Sequence, residues 1–149
     1  MIGYKAFFKT SDPNKFETSG GFIYEIDKVY ETTNPLEFRK EGFHYCDFPL
    51  DVDRFYYNCS NKPNMSEVVY ALVHILGDVK HDKISHNSIT NKIRIIKLIT
   101  RAEFFNMYAD GKHISAYGDI FYIKNKKLYN PDNQPAIIRN DGTKEWFYV

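Results

Sequence analysis

At 149 residues the chain has the length of one domain, enough to bury a core and too short for two independent ones. Twenty basic against nineteen acidic side chains leave a formal charge of +1, so no global field draws the protein to nucleic acid or to an acidic membrane. The two cysteines, Cys46 and Cys59, exclude the dense disulfide framework of a small secreted module and are expected as free thiols.

Twelve Tyr and twelve Phe stand beside one Trp and many Lys, Asn and Ile. These residue types share A/T-rich codons, so genome composition accounts for the rings without any selection for aromatic surfaces. The opening Met1-Ile2-Gly3-Tyr4-Lys5 lacks the charged start and apolar run of a secretory leader, and no stretch reaches the roughly 18 apolar residues that span a bilayer. The protein is expected to stay in the cytoplasm in which it is made, which makes the sequons at Asn58 and Asn64 chance matches.

Along the chain, Tyr4 to Phe8 is a short β-prone run closed by Ser11-Asp12-Pro13-Asn14. Gly20-Gly21 opens Phe22 to Ile26, and Val29-Tyr30 follows, so three short strands are expected in the first thirty residues. Gly42 to Cys46 is extended and aromatic. Pro49 behind Asp47 marks a helix start, giving a short helix over Leu50 to Tyr57. Glu67 to Leu76 is the strongest strand, apolar on both faces and expected in the interior of the sheet. Ile93 to Ile99 is a second long strand, with Ile93, Ile95 and Ile99 on one face by period two. Thr100-Arg101-Ala102-Glu103 is a capping box, so a helix carrying Phe104, Phe105 and Tyr108 should follow and stop at Asp110-Gly111. At the end, Asp119-Ile120-Phe121-Tyr122-Ile123 is echoed 26 positions on by Glu145-Trp146-Phe147-Tyr148-Val149, with Ala136 to Arg139 between, which reads as a three-stranded meander with a hairpin turn at Asp141-Gly142.

Three stretches carry a resemblance. Lys5-Ala6-Phe7 with Gly21-Phe22-x-Tyr24-Glu25-x-x-Lys28-x-Tyr30, then Gly42-Phe43-His44-Tyr45-Cys46-x-x-Pro49-Leu50-Asp51, then Lys92 to Thr100 together resemble an uncharacterised family of small domains in tailed phages and mobile elements, over roughly residues 4 to 105. The resemblance implies a viral setting and carries no activity with it. The tail, Asp132 to Ile138 and Asp141 to Tyr148, resembles one copy of a short repeat found in giant DNA viruses and some phages. It departs from that repeat at Gln134, where Gly is usual.

The candidate sites are weighed on geometry. His44 and Cys46 share a strand face, but a strand holds such side chains parallel and about 6 to 7 Å apart, whereas a Cys nucleophile and its His base usually meet from different elements. A structural role for both is the expectation. The histidines at 44, 74, 81, 86 and 113 show no metal-ligand spacing, so no metal and no cofactor is expected; His81 and His86 should be solvated. Asp47, Asp51 and Asp53 suit the positive end of a helix dipole. Lys124-Asn125-Lys126-Lys127 reads as a solvated hairpin turn, and no phosphate loop, dinucleotide fingerprint or nucleophile elbow occurs. Gly42 to Tyr57 is also similar in order to the region of small ADP-ribosyltransferases that frames the nicotinamide pocket, yet the late-strand Glu-x-Glu or Gln-x-Glu of those enzymes is missing.

Together these readings predict an α+β fold: a mostly antiparallel twisted sheet with two short helices in a core domain over residues 1–115, and an appended C-terminal β-meander over 116–149. The expected function is that of a viral accessory protein, non-enzymatic, binding a host or viral partner, protein or small ligand, through an aromatic cleft near Tyr24, His44, Tyr45, Arg54 and Tyr57. The alternatives are a small-nucleotide sequestering or ADP-ribosyltransferase-like protein and a virion-associated structural protein. The open edge of the last strand could pair with a second copy to form a homodimer.

Overall fold

Gly3, Lys5 and Phe7 alternate with Tyr4, Ala6 and Phe8, and this period of two makes the opening segment a strand, β1 (Ile2–Lys9). In the computed structural model, which describes residues 1–18, 20–38, 40–60, 68–82 and 87–147, the chain divides into two compact units, residues 1–100 and 101–149. The first continues through β2 (Lys15–Glu17), β3 (Ile23–Glu25), β4 (Val29–Glu31), β5 (Phe43–Cys46), α1 (Pro49–Ser60), β6 (Val68–Ile75), β7 (Val79–His81), β8 (Asn87–Thr90) and β9 (Lys92–Ile99). The fold class is α+β, mostly antiparallel sheet, and among the described residues no helix is long and apolar enough to cross a membrane.

The strands of the first unit run in the order β4-β9-β6-β1-β5-β8-β7. β6 lies in the interior of this sheet, as its two apolar faces require: it pairs with β1 from Ile2↔His74 to Phe8↔Val68 and with β9 from Tyr70↔Ile99 to Ile75↔Ile93. β2 pairs with the far end of β1 and with β3. The chain then passes to β9, where Ile26 bridges Ile95 and β4 pairs from Val29↔Arg94 to Glu31↔Lys92. The ladder β9-β6-β1-β2-β3 thus returns to β9, and one face of the sheet is wound round Phe7, Phe16, Tyr24, Tyr45, Ala71, Val73, Ile93 and Ile95. β5 enters through Gly42, at φ +125°, where a Cβ would stand 3.0 Å from Leu36 Cδ2 and 3.2 Å from Ile89 Cβ. The opposite face carries α1, whose Phe55 ring packs 5.3 Å from that of Phe8, with Leu50 and Val52 buried.

Several details differ from the sequence reading, which named no strand at β7 or β8 and expected three strands in the C-terminal sheet where there are five. The first thirty residues hold four strands, because β2 contributes a single buried side chain, Phe16, between exposed Lys15 and Glu17, too short a run to show a period. And a register shift between Leu72 and Val73 inserts Ile96 as an extra residue in β9, so Ile99 does not share the face of Ile93 and Ile95 but sits opposite Tyr70 on the other one.

In the second unit α2 (Arg101–Phe105) starts directly after Thr100, as the capping box predicts, and ends well before Asp110. β10 (Gly111–Ile114), β11 (Ile120–Lys124), β12 (Lys127–Leu128), a 3-10 turn (Pro131–Asn133), β13 (Ile137–Ile138) and β14 (Lys144–Glu145) follow, in the sheet order β10-β11-β13-β14 with β12 on β11. The Asn125-Lys126 turn has φ +53° and +62°, the two left-handed residues that suit a tight hairpin. Phe104, Phe105, Phe121, Ile123 and Ile137 form the buried side.

Candidate functional site

Three inward positions of β1 build the site: Gly3, Lys5 and Phe7. At Gly3 a Cβ would stand 2.5 Å from Tyr45 Cδ2, so the absence of a side chain there is what lets the Tyr45 ring lie against the strand. Lys5 then places a cation within the aromatic core. Its Nζ lies 5.3 Å from the Tyr24 ring centroid and 5.6 Å from that of Phe7, and donates to the main-chain oxygen of His44. Burial pulls the amine down to about 8, with Cys46 acting in the opposite direction. Burial and then Tyr30 hold the Tyr24 hydroxyl well above its ordinary range.

Of the residues singled out from sequence, Tyr24 and Tyr45 meet on this inner face, 2% and 3% exposed. His44 joins them only through its main chain. Its imidazole lies on the opposite, exposed side of β5, its pKa lowered by partial burial and then by Lys5. Arg54 is half-buried on α1, the helix of that opposite face, and the Tyr57 side chain lies outside the described residues. The side chains therefore do not line one cleft. Sequence reasoning missed Lys5, although a lysine between Gly3 and Phe7 on an inward-facing period was the signal.

Above the core the rings continue outward. Phe22 contacts Tyr24 at 4.7 Å, Tyr30 at 5.5 Å and Phe43 at 5.9 Å, and Tyr24 meets Tyr30 at 4.9 Å, all in tilted or edge-on geometry. The Tyr30 hydroxyl accepts the Glu25 N–H at 2.8 Å and fixes the β3–β4 link, while the Lys28 ammonium stands 5.5 Å from the Tyr30 ring. Phe22 is the member that faces solvent, 45% exposed, with Ile23 and Val29 exposed on the neighbouring strands.

The polar groups nearby do not assemble a nucleophile. The Cys46 thiol donates to Asn87 Oδ1 at 3.3 Å, no hydrogen bond joins it to His44 among the described residues, and burial, then Asp51 and Asp47 against Lys5, push its pKa up to about 12. Asp51 and Asp53 are buried on α1. Asp47, His81 and Ser88 make a closed cluster: Ser88 Oγ donates to Asp47 at 3.0 Å and lies 2.6 Å from His81 Nδ1, which is itself 3.5 Å from Asp47. A catalytic relay needs the imidazole to bridge serine and carboxylate with its two nitrogens. Here one nitrogen faces both, and Ser88 is inaccessible at 0% exposure, so the cluster clasps β5, β7 and β8 together. Among the described residues no three His, Cys, Asp or Glu side chains converge as a metal set.

The second unit holds a feature with no sequence forewarning. Arg139, 0% exposed, donates through Nη1 to Asp119 at 3.2 Å and through Nη2 and Nε to Glu145 at 2.7 and 3.1 Å, with its guanidinium 5.6 Å from the Phe121 ring. Asp119 also accepts the Asn140 N–H at 3.0 Å.

Fold and site define the first unit as a small, mostly antiparallel α+β domain wound round an aromatic core, with a half-buried lysine inside it and a ring cluster open at one end. The chain belongs to the family described as Domain of unknown function (DUF7666), whose profile matches residues 1–107. No curated protein and no solved structure matches the chain.

Proposed function

We propose that this chain is a non-enzymatic binding module of a virus or mobile element and that it holds a host or viral protein through the ring cluster that ends at Phe22. The observation that carries the reading is a large aromatic side chain left 45% exposed while three other rings fix its position. Such an anchor binds at little conformational cost.

The test compares wild type with Phe22→Ser, with unchanged thermal midpoints as the check that the variant folds. Capture of a defined partner from infected or lysogenic cells should fall about tenfold or more, the ~1.4 kcal/mol or greater cost of losing an aromatic anchor. Retained capture by the variant would contradict the proposal. So would strong thermal stabilisation of both proteins by NAD, ADP-ribose or a cyclic dinucleotide, which favours the nucleotide-sequestering reading.

A further inference from the structure

The hydrogen bonds of the second unit repeat with a period of 24 residues, not the 26 of the sequence echo. Ser115 N–H donates to Asp119 O at 2.9 Å and Gly118 N–H to Ser115 O at 3.0 Å; 24 positions on, Arg139 N–H donates to Thr143 O at 2.8 Å and Gly142 N–H to Arg139 O at 2.9 Å. Gly118 and Gly142 share the left-handed conformation, φ +84° and +89°. The ladders agree: His113↔Phe121 in the first hairpin becomes Ile137↔Glu145 in the second. β10–turn–β11 and β13–turn–β14 are thus two copies of one hairpin, and they join where β11 pairs with β13 through Ile120↔Ile138 and Phe121↔Ile137.

That internal junction shows what the same edge of the second copy accepts. The outer edge of β14 is the counterpart of the β11 edge that receives β13, and among the described residues no strand pairs with it. The counterpart of β13 is β10, whose own outer edge ends the sheet on the other side. We infer that β14 of one molecule pairs with β10 of another, a head-to-tail contact between copies of this chain that reproduces the β11–β13 junction. The register follows by translation: Lys144 opposite Ile114 of the neighbour and Glu145 opposite its His113, an acid facing an imidazole. Lys112, Ile114, Lys144 and Trp146 are all exposed, so both edges are open to the contact. A heterologous contact of this kind leaves a free edge at each end and does not stop at two.

In the internal junction the Tyr122 N–H donates to Ala136 O at 2.9 Å, so in the intermolecular one the Trp146 N–H faces outward to Lys112 O of the neighbour. Trp146→Pro and Ile114→Pro, the latter at the counterpart of Ile138, each remove an outward N–H that the contact uses without touching a ladder bond inside the molecule. Sedimentation velocity of the full-length wild type from micromolar to millimolar concentration should show mass growing past the dimer. Each proline variant alone keeps only one of the two edges that the contact needs and should remain a monomer, whereas a mixture of the two, which supplies one intact β14 and one intact β10, should form a heterodimer. Unchanged thermal midpoints report that both variants fold. A monomeric wild type throughout, or association lost in Trp146→Pro but unaffected in Ile114→Pro, as a symmetric β14–β14 dimer would give, overturns the inference.

Discussion

Replacing Arg139 with Ala should unfold the C-terminal meander, not merely loosen it. Arg139 and Asp119 are 0% and 1% exposed at their side chains, so truncation leaves a carboxylate in the interior without the cation that faces it; breaking a buried pair in this way costs about 3 to 5 kcal/mol. Glu145 is 31% exposed and adds less, since solvent screens it, about 0 to 1 kcal/mol. The void beside Phe121 adds to the penalty. A unit as small as residues 101–149 rarely has more than about 3 to 5 kcal/mol in its core, so the loss matches its whole stability. Trp146, the only tryptophan of the chain, lies in this unit, and its fluorescence in urea reports the meander alone. In Arg139→Ala the Trp146 transition should be absent or displaced to near zero denaturant, and replacing Arg139, Asp119 and Glu145 together by Met, Leu and Met should restore it. A single variant within about 1 kcal/mol of wild type would refute the reasoning.

Three further outcomes follow from the first unit. Gly3→Ala drives a methyl into Tyr45 Cδ2 and should cost about 1 to 3 kcal/mol by urea denaturation, with partial recovery when Tyr45→Leu is added; full stability in the single variant would show that the ring is not packed against the strand. Lys5 titrates at about 8 when folded against 10.5 in the unfolded chain, so between those values the unfolded state alone keeps the proton and stability rises with pH. Denaturation at pH 7 and pH 9.5 should therefore show wild type gaining on Lys5→Met, and parallel behaviour would contradict the buried amine. Cys46, pushed up to about 12, should resist iodoacetamide at pH 8 in the native protein and react once urea is added; native labelling at the rate of an ordinary thiol, read by peptide mass spectrometry, would contradict its burial.

The long elements were legible because their side chains alternate over enough residues to show a period. β6 lies within the predicted Glu67 to Leu76 and β9 takes in the predicted Ile93 to Ile99, and α2 starts at its capping box. What escaped was local and short. β2 has one buried residue, and the Ile96 bulge changes the facing of Ile99 by an insertion that period two cannot display. The tail showed a repeat, but similarity of aromatic residues pointed to 26 positions where the hydrogen-bonded turns of Ser115 and Arg139 set 24. The site was half legible. Tyr24 and Tyr45 stand together, but strand alternation sends the His44 ring to the other face, and Lys5 was passed over because a charged side chain on an inward face runs against the expectation for a core.

The most direct test of the proposed binding role places a photo-crosslinking benzophenone residue at position 22 and, as an exposed control in the second unit, at position 127, and irradiates each protein in cells of the organism that encodes it or of the host proposed for it. The account predicts one discrete adduct from position 22, absent from position 127 and suppressed by excess unlabelled wild type but not by excess Phe22→Ser. Equal labelling from both positions, or competition by Phe22→Ser as effective as by wild type, would contradict it.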